Sequence, residues 1–232
     1  YEAIRHTGLQ TDQDVETEAD IYVATLWATF LNDKFPDLNL DSEEIEARVD
    51  TGSQYTVRVD SIDGSKHFRA GIPVFGSNVS LHLDGKTVFG ACVYPLANHE
   101  KYHSLIGEGA YRNGSRIGVS AVDSLRNGFV AVEAPTSKLA QTDPDSFRNA
   151  ARIQDMLEKV SFRLRNFGLG GLGICLVASG ACVAYVDLSS TTKIYDVDAA
   201  LMIIKEAGGE VSEIDKRGNH ILVASNGYVH QE

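Results

Sequence analysis

Between Thr17 and Phe35, apolar residues recur at helical spacing, with Ile21, Ala24, Ala28, Leu31 and Phe35 on one face. Thr17 can cap that helix, with Asp20 three residues on in capping-box register, and the polar stretch Pro36 to Asp41 ends it. The pattern then shortens to strand alternation. Tyr55, Val57 and Val59 lie on one side of Tyr55 to Asp60, which runs into the turn Ser61-Ile62-Asp63-Gly64. Two further apolar runs, Val74 to Leu83 and Thr87 to Tyr94, are joined by Asp84-Gly85-Lys86, which predicts a hairpin. Asn113-Gly114 marks another turn. The front half reads as a helix followed by antiparallel strands.

The back half changes character. Asp143 to Lys159 predicts a helix with Pro144 in its first turn, and Gly168 to Gly180 a helix of small and apolar residues. Phe162 to Phe167 and Val183 to Asp187 read as short strands. Asp196 to Ala207 predicts a helix stopped by Gly208-Gly209. Helices alternating with strands imply an α/β layer. The expected organisation is two tightly packed lobes, 1–127 and 128–232, with a soft boundary near Gly128 and no linker composition.

Composition narrows the function. Of 232 residues, 43% are apolar and 23% charged, the balance of a globular chain rather than a disordered or disulfide-stapled one. With 21 basic against 32 acidic residues the net charge is −11, which disfavours nucleic acid as a partner and suits divalent cations bound through oxygen. Cys92, Cys175 and Cys182 are spaced for neither a disulfide framework nor a zinc cluster and read as buried thiols of a reducing compartment. No apolar run reaches membrane-spanning length and no signal peptide is visible, so the expected location is cytoplasmic, with no membrane partner.

The chemistry concentrates in Val59-Asp60-Ser61-Ile62-Asp63-Gly64-Ser65, where two carboxylates sit three apart around a turn at a strand end. Both side chains and the intervening Ile62 carbonyl can enter one cavity, offering a hard cation three oxygens. An isolated Asp-Gly turn can equally be solvated. Glu43, in Asp41-Ser42-Glu43-Glu44, gains interest only if the chain returns it to Asp60. Asp196, in Tyr195-Asp196-Val197-Asp198-Ala199-Ala200, opens an apolar helix, where a carboxylate also serves as a cap. Gly168-Leu169-Gly170-Gly171-Leu172-Gly173 contains G-x-G-x-x-G, but late in the chain and with Asp187 only 14 residues after Gly173, where the pattern wants an acid about 20 on, so a nicotinamide site is not expected. A glycine-rich helix start still offers free N–H groups to an anion or hydroxyl. His67, nearest the carboxylates, is expected as a loop residue, and no G-x-S-x-G elbow is present.

Taken in order, these segments resemble the inositol monophosphatase family, the Mg²⁺-dependent, lithium-sensitive sugar phosphatases, from Val15 to the C-terminus. Thr17-Glu18-Ala19-Asp20 is similar to T-x-A-D, Ser42-Glu43-Glu44 to G-E-E, and Asp60-Ser61-Ile62-Asp63-Gly64-Ser65 to D-P-I-D-G-T. Tyr195 to Ala200 is similar to W-D-x-A-A, and Gly168 to Leu172 to G-[ST]-A-A-L. Departures include Ser61 for Pro, Tyr195 for Trp, and Lys66-His67 where Thr-Asn is common in inositol phosphatases.

The resemblance implies a layered α/β/α/β fold with a mostly antiparallel N-terminal sheet, and a phosphomonoesterase acting on inositol monophosphate. Fructose 1,6-bisphosphate, histidinol phosphate and 3′-phosphoadenosine 5′-phosphate are alternative substrates, and a weakly catalytic metal-binding regulatory relative is an alternative class. It implies Glu43, Asp60, the Ile62 carbonyl, Asp63 and Asp196 as ligands of two or three Mg²⁺, with Mn²⁺ able to substitute. Glu43, helped by Ser65, would deprotonate the attacking water, and Asp20 would support that network. Gly64 and Ser65 would hold phosphate through their backbone. Asp63, Asp187, Asp196 and the backbone at Gly168, Leu169 and Gly170 would hold substrate hydroxyls. A homodimer is implied by the same likeness.

Overall fold

The first helix of the computed structural model, α1 (Glu18–Lys34), is turned relative to its apolar pattern. The structure describes residues 18–44, 50–96, 99–216 and 219–232, so the Thr17 cap lies outside the described residues. Asp20, Ala24 and Leu31 are buried, and Trp27 and Ala28 pack with Leu31 against Leu40, Val57 and Val59. Ile21 and Phe35, expected on that face, are 50% and 51% exposed. The cause is Asp20: its Oδ1 lies 2.6 Å from Ser65 Oγ. Pointing Asp20 inward turns Ile21 about 100° away from it.

The strands β1 (Asn39–Ser42), β2 (Tyr55–Asp63), β3 (Gly76–Leu83), β4 (Lys86–Tyr94), β5 (Glu100–Leu105), β6 (Gly109–Arg112) and β7 (Ser115–Ile117) form one sheet in sequence order. All neighbours are antiparallel except β1, which pairs parallel with β2. Both expected turns are present: Asp84-Gly85 joins Leu83 to Lys86, and Asn113-Gly114 joins Arg112 to Ser115. Alternation along β2 sends Val57 and Val59 towards α1 and Arg58 the other way. Pairing with β3 shifts between Asp60 and Asp63, and this bulge gathers the end of β2 into the site. A short helix, α2 (Ser65–Ala70), follows at once.

The second sheet has the order β11-β12-β10-β8-β9, from β8 (Phe129–Glu133), β9 (Arg163–Arg165), β10 (Ala184–Asp187), β11 (Glu210–Lys216) and β12 (Asn219–Ser225). β8 is parallel to both β9 and β10; β12 is antiparallel to β10 and β11. Its connections contain α3 (Ser137–Thr142), α4 (Pro144–Val160), α5 (Gly170–Ala178) and α6 (Ile194–Glu206). β9 and α5 are shorter than expected, and α6 starts two residues before Asp196.

Alternation on the second sheet gives each face its own core. Ala131 and Tyr185 join α5, α6 and first-sheet residues Cys92, Tyr94 and Tyr102, whereas Val130, Val132 and Val186 pack with Ala150, Ile153 and Leu157 of α4. The layers run α1, first sheet, α5 with α6, second sheet, α4. The expected four-layer arrangement is thus completed by an outer helix. Cys92, Cys175 and Cys182 are buried free thiols. No helix among the described residues is long and apolar enough to cross a membrane.

Helix α6 is fastened to the first sheet by charge as well as packing. Asp198 accepts from Arg58 Nη1 (2.9 Å), Ser80 Oγ (3.0 Å) and Thr87 Oγ1 (2.8 Å), with His82 Nε2 at 2.8 Å. Against the penalty of burial, the His82 and Thr87 bonds and the charges of His82 and Arg58 hold its carboxyl below the ordinary range. Arg58 Nε also reaches Asp41 Oδ2 (3.1 Å), and Tyr195 OH donates to Asp41 Oδ1 (2.8 Å). These contacts join β1, β2 and the first turn of α6, the elements that flank the acidic site.

Candidate active site

Three chain segments converge at the end of β2. Parallel pairing carries β1 alongside it, and the Glu43 N–H donates to Val59 O (3.2 Å). Gly64 adopts φ 87°, a left-handed conformation favouring glycine, so the chain reverses between Asp63 and Ser65 without strain. Ser65 Oγ lies 2.8 Å from Ile62 O and 2.6 Å from Asp20 Oδ1, tying the turn to α1. Asp196 enters from the first turn of α6, where its Oδ2 accepts the Lys193 N–H at 2.7 Å. It caps the helix and faces the other acids at once.

The acids form two groups that share Asp60: Glu43, Glu44 and Asp60, and Asp60, Asp63 and Asp196. In each group one oxygen from every residue lies within 4.8 Å of the others. Glu44 is held by Ser61 Oγ (2.9 Å) and Ser42 Oγ (3.0 Å). Asn78 Nδ2 donates to Asp63 Oδ2 (3.2 Å) and to Asp196 O (3.2 Å), and Tyr94 OH donates to Asn78 Oδ1 (3.2 Å). Asp60 Oδ2 is buried with no hydrogen-bond partner among the described residues.

Repulsion and burial act together here. Burial first, then the charges of Asp63, Asp196, Glu43 and Glu44, push the Asp60 carboxyl well above the usual range. Burial and then Asp196 do the same to Asp63, against the Asn78 bond. Burial raises Asp196 to about 6, opposed by the Lys193 N–H and reinforced by Glu43. Burial also raises Glu44, against its two serine bonds. An all-oxygen donor set, mutually repelling and containing an orphaned buried oxygen, fits a hard divalent cation.

The acids open on a cavity of about 680 Å³. Asp20, Glu43, Asp60, Ile62, Asp63 and Asp196 line it. Gly64, Ser65, Gly168 and Gly170 line it as well. Leu169 and Asp187 do not. Leu169 is buried, its side chain packed beneath Gly64, because the first turn of α5 points it into the core. Asp187 Oδ1 accepts from Ser189 N (2.8 Å) and Ser189 Oγ (2.7 Å), closing a local turn. His67, expected in a loop, lies in α2; its Nδ1 is 2.9 Å from Val74 O.

Glu44, Lys193 and Glu133 are among the lining residues that escape the sequence reading. Glu44 was legible only as half of a Glu-Glu pair. Lys193 precedes Asp196 by one helical turn, and its Nζ reaches Glu43 Oε1 at 2.8 Å. Glu133 ends the apolar strand β8, and an acid closing such a strand is the one available signal.

Close packing holds Asp196 in place. A Cβ on Gly171 would lie 2.5 Å from Tyr94 Oη and 2.7 Å from Asp196 O. Gly171→Ala is therefore expected to destabilise the fold by about 1–3 kcal/mol and to displace Asp196. Calorimetry together with Mg²⁺ titration checks this; unchanged melting and metal affinity would contradict it.

The inositol monophosphatase family profile matches residues 2–232. The fructose-1,6-bisphosphatase/inositol-1-monophosphatase of Thermococcus kodakarensis is 33% identical over 186 residues, covering 80% of this chain and 64% of that protein. A histidinol-phosphatase of Chlorobaculum parvum is 31% identical, covering 94% of this chain and 79% of that protein. Among solved structures, the extragenic suppressor protein SuhB of Bartonella henselae superposes with a TM-score of 0.80 at 26% identity, covering 95% of this chain and 83% of that one. The chain thus spans a little under two thirds of the Thermococcus relative's length.

Proposed function

The chain belongs to the inositol monophosphatase family, and from that premise we propose that its cavity hydrolyses phosphate monoesters of small hydroxylated molecules with divalent cations bound at the acidic groups. The observation carrying the reading is Asp60, shared between two acidic groups with one buried oxygen left unpartnered. Glu43, Glu44, Asp60, Asp63, Asp196 and the Ile62 carbonyl would hold the ions, with Mg²⁺ the ion expected and Mn²⁺ a substitute. Such ions supply charge neutralisation at the phosphoryl oxygens and acidify a bound water.

This chain's own groups do the rest. The Glu43 carboxylate takes a proton from the attacking water. Ser65 Oγ, fixed by its contact with Asp20 Oδ1, keeps a lone pair for the same water. Backbone N–H groups at Gly64 and Ser65 receive phosphate oxygens, and Lys193 beside Glu43 offers a cation to the same charge. The backbone at Gly168 and Gly170, which lines the cavity, faces the alcohol portion of the ester. In this reading the segments 1–127 and 128–232 act as two lobes closing one site.

The relatives differ in the substrates they are named for, and inositol monophosphate is the first substrate to test. Phosphate release from inositol 1-phosphate, fructose 1,6-bisphosphate and histidinol phosphate should require Mg²⁺ and stop with EDTA. Release unaffected by EDTA would sink the metal assignment, and no release from any ester would sink the activity. Inhibition by millimolar Li⁺, a dimer by light scattering and a cytoplasmic location belong to the same proposal.

A further inference from the structure

Glu133 stands outside the two acidic groups but lines the same cavity. It is the last residue of β8, and its register partner on parallel β10 is Asp187. Its carboxyl lines the cavity together with Thr136 and Gly168, while the metal-capable acids come from β1, β2 and α6. The backbone of Leu169 and Gly168, in the loop before α5, offers it N–H donors, the Gly168 N–H also donating to Asn166 Oδ1 at 3.0 Å.

Its chemistry suits a hydroxyl. Burial, then the charge of Asp187, push the Glu133 carboxyl up to about 8, with Asp196 adding to the rise and the Leu169 and Gly168 backbone opposing it. A carboxyl accepts hydrogen bonds from the hydroxyls of an alcohol, and when it holds its proton it donates one as well. Glu133 belongs to neither acidic group that could hold an ion among the described residues. Asp187, the more obvious acid beside it, is absorbed by Ser189 and does not reach the cavity.

We propose that Glu133 is a substrate-binding residue that recognises a hydroxyl on the alcohol portion of a polyol phosphate whose phosphate lies at the acidic groups. This rests on the phosphatase reading and adds a specificity element to it. An ester whose alcohol carries no further hydroxyl, such as p-nitrophenyl phosphate, makes no such contact.

The test compares two substrates across variants of the full chain in Mg²⁺. With inositol 1-phosphate, Glu133→Met is expected to lower kcat/KM about three- to tenfold, mainly through KM, the range for one lost hydrogen bond. With p-nitrophenyl phosphate the same variant should stay within about twofold of wild type. Glu133→Gln, whose amide keeps an acceptor for the two N–H groups and a donor for the hydroxyl, should restore inositol 1-phosphate turnover. Equal losses on both esters, or no loss on either, would overturn the assignment while leaving the phosphatase reading intact. No Mg²⁺-dependent release from either ester by the wild type would instead overturn that reading. If Glu133→Met fails to fold, deoxy analogues of the polyol phosphate tested on the wild type decide: KM must rise when one particular hydroxyl is removed, and indifference to every removal refutes the proposal.

Discussion

Asp60→Asn is expected to lower Mg²⁺-dependent phosphate release by at least about a hundredfold, and to make the metal-free protein melt higher than wild type. The two effects share one cause. Asp60 belongs to both acidic groups, so its loss weakens every ion they hold, and even an outer-shell partner of a metal ligand is worth about 10–100-fold. Without ions, however, that carboxylate is a liability. It is buried, repelled by four neighbouring acids, and has an oxygen with no partner among the described residues. An asparagine of the same shape removes the charge and can donate to the acids around it. A gain of several degrees in melting temperature follows, at about 2–4 °C for each kcal/mol relieved in a chain of this size. Phosphate release and calorimetry on EDTA-treated protein check both halves. Retained turnover would remove Asp60 from the site, and a lower melting temperature would mean that the acids are not in conflict.

The second large effect is a dependence of stability on pH that Mg²⁺ reverses. Asp60 and Asp63 have carboxyls pushed well above the usual range, Asp196 is raised to about 6 and Glu133 to about 8. A carboxyl with a raised folded-state pKa binds its proton more tightly folded than unfolded, so stability falls as pH rises. The stabilisation is fully present below about pH 4, where the unfolded carboxyls titrate, and is lost as pH climbs through about 6 for Asp196 and about 8 for Glu133. The metal-free protein should therefore melt progressively lower from pH 5 to pH 8. Cations prefer the charged acids, so the gain on adding Mg²⁺ should be largest at pH 8 and reach about 2.7 kcal/mol at a hundred times the dissociation constant. Below pH 7 binding must release protons, which calorimetry in buffers of different ionisation heat can count. A flat melting profile without proton release would show that the acids are ionised before any cation arrives.

The split between what the chain's pattern reveals and what it hides follows from range. Asp60, Ile62, Asp63, Gly64 and Ser65 are legible because one bulged strand end and one left-handed glycine bring them together within six residues. The two hairpin turns and the long helices α4 and α6 are legible for the same reason, since their periods and caps are local. Ordered similarity to a family adds Glu43 and Asp196, which no spacing argument could have joined to Asp60.

Tertiary structure decided the rest. Asp20 turned α1 so that Ile21 faces outwards, because a buried carboxylate with a partner outweighs one aliphatic contact. Asp187 and Leu169 left the cavity because a local Ser189 turn and the core took them. Glu44, Glu133 and Lys193 entered it through the approach of β1, β8 and α6, segments as much as 150 residues apart along the chain. Local pattern determined which elements form. Only packing across layers determined which acids meet, because the electrostatic conflict that defines this site exists nowhere until the chain has closed around it.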